Sequence, residues 1–149
     1  MSVLNMVRTI KKIHKEDIVM IKIGNFYSVY GKDAYILSWI FSYKLRIDKE
    51  DMYTTGFPCS SLSRVLGKLQ HLKINYVVVD RRDNYSVDDR MDNKELNTYS
   101  KHYEMAKEYI KYMKKLENIY LYIKDNVKEQ EIQDMLIRWE KEINERRNI

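Results

Sequence analysis

Residues 18–34 read IVMIKIGNFYSVYGKDA, and this stretch decides the fold of the first part of the chain. The branched apolar run over residues 18–23 predicts a strand that is buried on at least one face. Gly24 and Asn25 both tolerate a positive φ, so together they predict a tight hairpin turn. The aromatic and β-branched residues 26–30 then predict the returning strand, which Gly31 ends.

A helix is predicted on each side of this hairpin. Before it, apolar residues at positions 3, 6, 7, 10 and 13 follow spacings of three and four, which predict an amphipathic helix over residues 1–15. After it, Lys32 or Asp33 opens a second helix, whose apolar positions continue from Ala34 to Leu45.

Two more strands and another helix are predicted further along. A polar loop precedes a short strand over residues 52–57, which Pro58 stops because proline lacks the N–H that a central strand donates. Ser60 or Ser61 is expected to cap a leucine-rich helix that begins at Leu62 and ends at Asn75.

The apolar run YVVV at residues 76–79 predicts the clearest strand of the chain. The charged residues 81–93 that follow predict a loop or an exposed edge strand. The predicted fold class for residues 1–90 is therefore α/β, with a mixed β-sheet flanked by helices.

Residues 91–149 are predicted to form a C-terminal helical hairpin or coiled-coil-like tail. Apolar residues there follow alternating spacings of three and four, which are typical of a heptad seam. The seam residues are Tyr109, Met113, Leu116, Tyr120, Ile123 and Val127 on a first helix, and Ile132, Leu136, Trp139 and Ile143 on a second. An antiparallel hairpin within one chain would cover both seams, and self-association through them is the alternative.

The charge of the chain is distributed unevenly. Residues 1–90 carry 15 Lys or Arg against 10 Asp or Glu, whereas residues 91–149 carry 12 of each. The net charge of +5 therefore lies entirely in the first part, where it favours contact with a polyanion.

The sequence predicts a cytoplasmic protein without a membrane segment. No apolar run approaches the roughly 18 residues that a membrane span needs, and the N-terminal residues 1–17 are too polar for a secretory signal. The one cysteine, Cys59, excludes an internal disulfide and fits a reducing compartment.

The motifs of common enzyme classes are missing from the sequence. It contains no phosphate-binding loop of the Walker type, no nucleophile elbow and no His-Glu-x-x-His motif. The three histidines, His14, His71 and His102, do not have metal-ligand spacing. We therefore predict a protein that is not an enzyme and that holds no metal or cofactor.

Several motifs, in their order, resemble the N-terminal mismatch-recognition domain of the MutS family of DNA mismatch repair proteins. Residues 24–30, GNFYSVY, match the family pattern Gly-Asp-Phe-Tyr-Glu-Leu-Phe, and Asp33-Ala34 match the Asp-Ala that opens the next helix. Residues 56–60, GFPCS, and 66–69, LGKL, correspond to the family's Gly-Val/Ile-Pro-Tyr-His and Leu-Ala-Lys-Leu. The resemblance covers residues 10–85.

The resemblance implies a DNA-binding site on the hairpin. In the family the phenylalanine of this motif enters the minor groove and stacks on the mispaired base, which assigns the wedge to Phe26 and places Tyr27 behind it. Asn25 and Ser28 flank the wedge, and Ser28 stands where the family has glutamate. On the leucine-rich helix, Arg64 and Lys68 are candidates for phosphate contacts.

Two functions are therefore predicted. The first is a non-enzymatic module that binds double-stranded DNA weakly and in a salt-sensitive way, and that senses mismatched or distorted duplex through Phe26. The alternative is a protein-interaction module that kept the fold and lost mismatch recognition, since Ser28 replaces the family's glutamate. Residues 99–143 are the expected surface for a homodimer or for a protein partner.

Overall fold

The computed structural model describes residues 2–126 and 128–147. The elements in chain order are α1 Val3–Ile13, β1 Ile18–Ile23, β2 Phe26–Tyr30, α2 Lys32–Phe41, β3 Arg46–Ile47, β4 Tyr53–Pro58, α3 Leu62–Leu72, β5 Tyr76–Asp80, β6 Ser86–Met91, α4 Tyr99–Asn126 and α5 Glu129–Arg147. The chain divides into two compact units, Met1–Ile110 and Lys111–Ile149.

The six strands form one mixed sheet in the order β3-β4-β2-β1-β5-β6. β1 and β2 form the predicted hairpin, with Ile23 opposite Phe26, and the two-residue turn between them has Gly24 at φ +62°. β1 runs parallel to β5, whereas every other neighbouring pair is antiparallel. The predicted mixed α/β sheet with flanking helices is thus confirmed.

The two faces of the sheet carry separate apolar clusters. On one face, alternate strand residues such as Met20, Tyr27 and Val78 pack with residues of α2, α3 and the first turns of α4. We call it the helix-covered face. On the other face, Val19, Ile21, Val77 and Val79 pack with Val7 of α1.

The segment after α2 differs from its prediction. The helix ends at Phe41, and Ser42 takes the left-handed conformation with φ +58°, so the helix predicted to reach Leu45 is too long. Tyr43 and Leu45 instead pack against the core from an extended segment, and Thr55 Oγ1 donates to the carbonyl of Lys44 at 2.9 Å. This segment becomes β3, a strand that the sequence did not predict.

α3 begins at Leu62 as predicted, whereas its N-terminal cap and its C-terminal end differ from the prediction. A single 3₁₀ turn, Cys59–Ser61, leads into the helix, and the hydroxyl of Ser61 makes no capping hydrogen bond. The helix ends at Leu72 because Lys73 turns to φ +63°. Asn75 is buried beyond the helix, where its side chain exchanges two hydrogen bonds with the backbone of Asn93.

Within residues 81–93, a 3₁₀ turn at Arg81–Asp83 is followed by the edge strand β6, and an edge strand is one of the two structures predicted for this segment. The division into domains after residue 90 stays a prediction. In the first compact unit, Tyr99, His102, Ala106 and Ile110 of α4 are buried.

Two helices follow the sheet, as predicted, and none of the described helices is long and apolar enough to cross a membrane. Most of the predicted seam residues on them are exposed, among them Leu116 at 59% and Leu136 at 55%. Val127, the last predicted position of the first seam, lies outside the described residues.

One buried carboxylate joins several of these elements. Asp33, in the first turn of α2, is only 1% exposed. It accepts hydrogen bonds from Lys11 Nζ and from the backbone N–H of Val19, each at 3.0 Å, and from the hydroxyl of Tyr99. Burial raises the pKa of Asp33 above its usual range, and the Lys11 ammonium opposes this rise. Asp33 thereby connects α1, β1, α2 and the start of α4.

We expect Asp33→Ala to lower the free energy of unfolding by about 3 kcal/mol, because it leaves three buried or half-buried donors without their acceptor. This value lies near the lower end of the losses that follow when one partner of a buried ion pair is removed, because the Lys11 side chain is 23% exposed and can turn toward water. Urea unfolding followed by circular dichroism measures the change, provided that the m value stays constant.

The exposed ion pair between Glu104 and Lys107 on α4 supplies the control, with 2.9 Å between carboxylate and ammonium. Since water screens exposed pairs, Glu104→Ala should leave the unfolding midpoint nearly unchanged. Equal losses of stability in the two variants would contradict the role assigned to Asp33.

Candidate nucleic-acid interface

Phe26 occupies the start of β2, directly after the hairpin turn, and its side chain is 56% exposed. Its neighbour Tyr27 is 5% exposed and belongs to the core on the helix-covered face. Because successive side chains of a strand point to opposite faces, Phe26 and Ser28 point away from that core. The predicted division between an outward Phe26 and an inward Tyr27 agrees with this burial.

The hairpin tip is fixed to the rest of the sheet. Asn25 is exposed, and its carbonyl accepts a hydrogen bond from the N–H of Cys59 at 2.9 Å. Phe26 itself lies opposite Pro58 at the end of β4. The backbone that carries the exposed ring is therefore held from two strands.

A stack of aromatic rings supports the hairpin from behind. The rings of Tyr27 and Phe57 stack with 5.5 Å between centroids, and Tyr43 stacks on Phe57 at 6.0 Å. Phe41 extends the stack at 5.2 Å from Tyr43. Large rings packed in this way resist displacement, so Phe26 projects from a rigid base.

On the opposite face, strands β2, β4 and β3 border a groove of about 390 Å³. Phe26, Ser28 and Tyr30 line it from β2, while Thr54 and Gly56 line it from β4. Burial raises the pKa of Tyr30, so this phenol is a neutral donor at physiological pH. Next to Phe26 the groove thus offers neutral hydroxyl groups.

Two cations at the same groove were missed by the sequence analysis. Lys44 and Arg46 are exposed and line the groove from the extended segment and from β3. Their alternation with the half-buried Tyr43 and Leu45 has the period of a strand, and this is the signal that could have revealed them. They place positive charge near Phe26.

An acid lines the groove as well. Asp48 accepts hydrogen bonds from the backbone N–H groups of Glu50 and Met52, each at 2.9 Å. Both bonds go to Oδ1 of Asp48 and close the turn before β4. Lys44 and Arg46 outnumber Asp48, so the ionised side chains that line the groove carry a net positive charge, which favours an anion.

The structure places the remaining predicted residues on α3. Arg64 and Lys68 are exposed there, and α3 packs on the helix-covered face rather than beside the groove. Arg64 Nη2 donates to the hydroxyl of Tyr43 at 2.7 Å, and its guanidinium lies 5.5 Å from the ring centroid of Phe41. Asn25, Phe26 and Ser28 are thus together on the hairpin, and Arg64 and Lys68 form a second group.

The comparison with protein families decides what this hairpin belongs to. The model of MutS domain I matches residues 2–101. The chain belongs to the MutS domain I family. This MutS-like mismatch-recognition domain includes α1, all six strands and the first residues of α4, and with them the exposed Phe26 and the groove. Domains of this family recognise DNA and are not catalytic. No curated protein matches the chain.

Gly56 lines the groove and lies opposite Ser28, where strands β2 and β4 approach closely. A Cβ added at Gly56 would lie 2.7 Å from the carbonyl oxygen of Tyr27, which is too close for any side chain. We expect Gly56→Ala to lower the free energy of unfolding by about 1–3 kcal/mol, because the backbone of β2 or β4 must shift. Urea unfolding measures this loss.

Gly67 in the interior of α3 offers the matched control. A Cβ added there meets no atom within 4 Å. Because alanine has a higher helix propensity than glycine, Gly67→Ala should raise the free energy of unfolding by up to about 1 kcal/mol. Changes of the same sign in both variants would refute the proposed close approach at Gly56.

Proposed function

We propose that this protein binds double-stranded DNA and senses mismatched or distorted steps by inserting Phe26 into the minor groove. The single observation that carries the proposal is the half-exposed Phe26 ring on a hairpin whose next residue, Tyr27, is anchored in the core. The proposed activity is binding without catalysis, and the single Cys59 suits a reducing cytoplasm.

The physics of insertion favours a mismatch over a matched step. A wedge must unstack two base pairs, and this costs less free energy where pairing is already weak. An aromatic ring then regains free energy by stacking on the displaced base, whichever base it is. The neutral hydroxyl of Ser28 can donate or accept one hydrogen bond, so we propose broad rather than base-selective recognition.

Cations on both sides of the hairpin are proposed to hold the phosphates. Lys44 and Arg46 lie at the groove, and Arg64 and Lys68 lie on α3. Asn25 at the hairpin turn is proposed to contact the DNA strand next to the inserted Phe26 ring. The basic excess of residues 1–90 supports this arrangement, because phosphate contacts need positive charge regardless of sequence.

We expect Phe26→Ala to remove the preference for mismatched over matched duplex and to weaken mismatch binding about tenfold, since one stacking contact is lost. Phe26→Leu, which keeps apolar bulk without an aromatic face, should fall between the parent and Phe26→Ala. Fluorescence anisotropy with labelled duplexes that differ only at the mismatch, at low and moderate salt, measures both effects.

Ile13→Ala is the control for this experiment, because Ile13 is an apolar residue that is 79% exposed, like Phe26 on the surface, but belongs to the last turn of α1 and not to the hairpin. It should bind both duplexes like the parent. A mismatch preference that survives in Phe26→Ala would rule out the wedge, and binding without any preference in the parent would leave a backbone-binding module.

Loss of a phosphate contact should change the affinity for both duplexes and its salt dependence, not the preference for a mismatch. Arg46→Ala, Arg64→Ala and Lys68→Ala should each weaken matched and mismatched binding alike and reduce the slope of log K against log salt by about 1. Lys12→Ala, an exposed change on α1, should leave the slope unchanged. An unchanged slope in Arg46→Ala, with reduced slopes in the two α3 variants, would show that DNA crosses α3 without entering the groove.

A second candidate function is a protein-interaction module that uses residues 99–143. The observation in its favour is the row of exposed apolar residues on α4 and α5. The two functions differ in a simple measurement, because the interaction module would not bind either duplex even at low salt. The same surface is compatible with a DNA-binding protein, so the two functions do not exclude each other.

A further inference from the structure

The second compact unit exposes a high density of large apolar side chains. Between residues 111 and 147, eleven of them are at least 43% exposed, against six in the described residues before 111. Among these eleven are Leu116, Tyr120 and Trp139. An apolar surface of this size on two helices is typical of an interface.

The apolar face of α4 is too broad for a single neighbouring helix. Three of its seven heptad positions are apolar: the first is held by Tyr112 and Ile119, the second by Met113 and Tyr120, and the third by Leu116 and Ile123. A two-stranded coiled coil needs only two such positions, whereas three are typical of a helix inside a bundle. Among the described residues between 111 and 147, the one other helix is α5.

The charges of the two helices complement each other. The part of α4 from residue 111 to 126 carries four lysines against Glu117 and Asp125, a net charge of +2. α5 carries six acidic residues against four basic ones, a net charge of −2. Electrostatic repulsion therefore disfavours contacts between two α4 helices or two α5 helices, and attraction favours contacts between α4 and α5.

We propose that two copies of this chain associate through residues 111–147 and form a four-helix bundle. In such a bundle each α4 lies between two α5 helices, one from each copy, which covers its broad face and pairs opposite charges. The proposal does not rest on DNA binding. Where the domain does bind DNA, the bundle couples two hairpins and raises their joint affinity.

Sedimentation velocity of the full chain over a wide range of concentration, without DNA, tests the proposal. We expect a particle with twice the chain mass of 18.1 kDa. A monomer at every concentration overturns the proposal, and so does an assembly larger than two copies.

Two identical substitutions on α4 sharpen the test. Leu116 lies within the apolar face, whereas Leu121 is also exposed but lies outside the three apolar heptad positions. Leu116→Lys should raise the dimer dissociation constant about 100-fold, since the bundle loses a buried leucine from each copy. Leu121→Lys should change it by less than about threefold. Equal effects overturn the proposal.

Trp139→Ala and Ile137→Ala repeat the comparison on α5, with Ile137 outside the predicted seam. Circular dichroism of all four variants shows whether helix content is kept, since leucine, lysine and alanine all favour helices. Dissociation in Ile137→Ala as strong as in Trp139→Ala overturns the assignment of the seam.

Discussion

The buried carboxylate of Asp33 is the constraint on which the arrangement of the first unit depends. A carboxylate that is removed from water loses its hydration, and this loss must be compensated by hydrogen bonds within the protein. Here the Lys11 ammonium, the Val19 amide and the Tyr99 phenol supply them. These donors come from α1, β1 and α4. Asp33 therefore fixes a helix on each face of the sheet, α1 and α4, relative to the central strand β1. α1 then covers the central strands on its face, and the groove beside β2, β4 and β3 stays accessible.

The β1–β2 hairpin has a base that is fixed in the core and an exposed tip that carries Phe26. Ring stacking of Tyr27, Phe57 and Tyr43 fills the core behind β2, and Cys59 fixes the turn. A side chain that is meant to enter a weakened base step gains from such rigidity, because little conformational entropy is lost on binding. The proposed insertion of Phe26 rests on its exposure and on membership of the MutS domain I family.

The two units have different chemistry. The first combines neutral hydroxyls near Phe26 with cations at the groove and on α3, and the proposed binding of DNA by stacking and phosphate contacts uses both. The second has complementary charges on two helices and a broad apolar face on α4, which are the features on which the proposed self-association rests. A module with few DNA contacts binds weakly, so pairing two modules is a direct way to increase affinity.

The sequence by itself determined the hairpin, the mixed sheet, the opposite faces of Phe26 and Tyr27, and the two tail helices, because strand and helix periods are local properties. It did not determine β3, since a short apolar segment after a helix fits either period, and so Lys44 and Arg46 were missed. It also gave no sign that Asp33 is buried rather than a simple helix opener. Its partners Lys11 and Tyr99 lie 22 and 66 residues away. Only the tertiary structure decided these features, because a groove and a buried ion pair arise when distant segments are brought together.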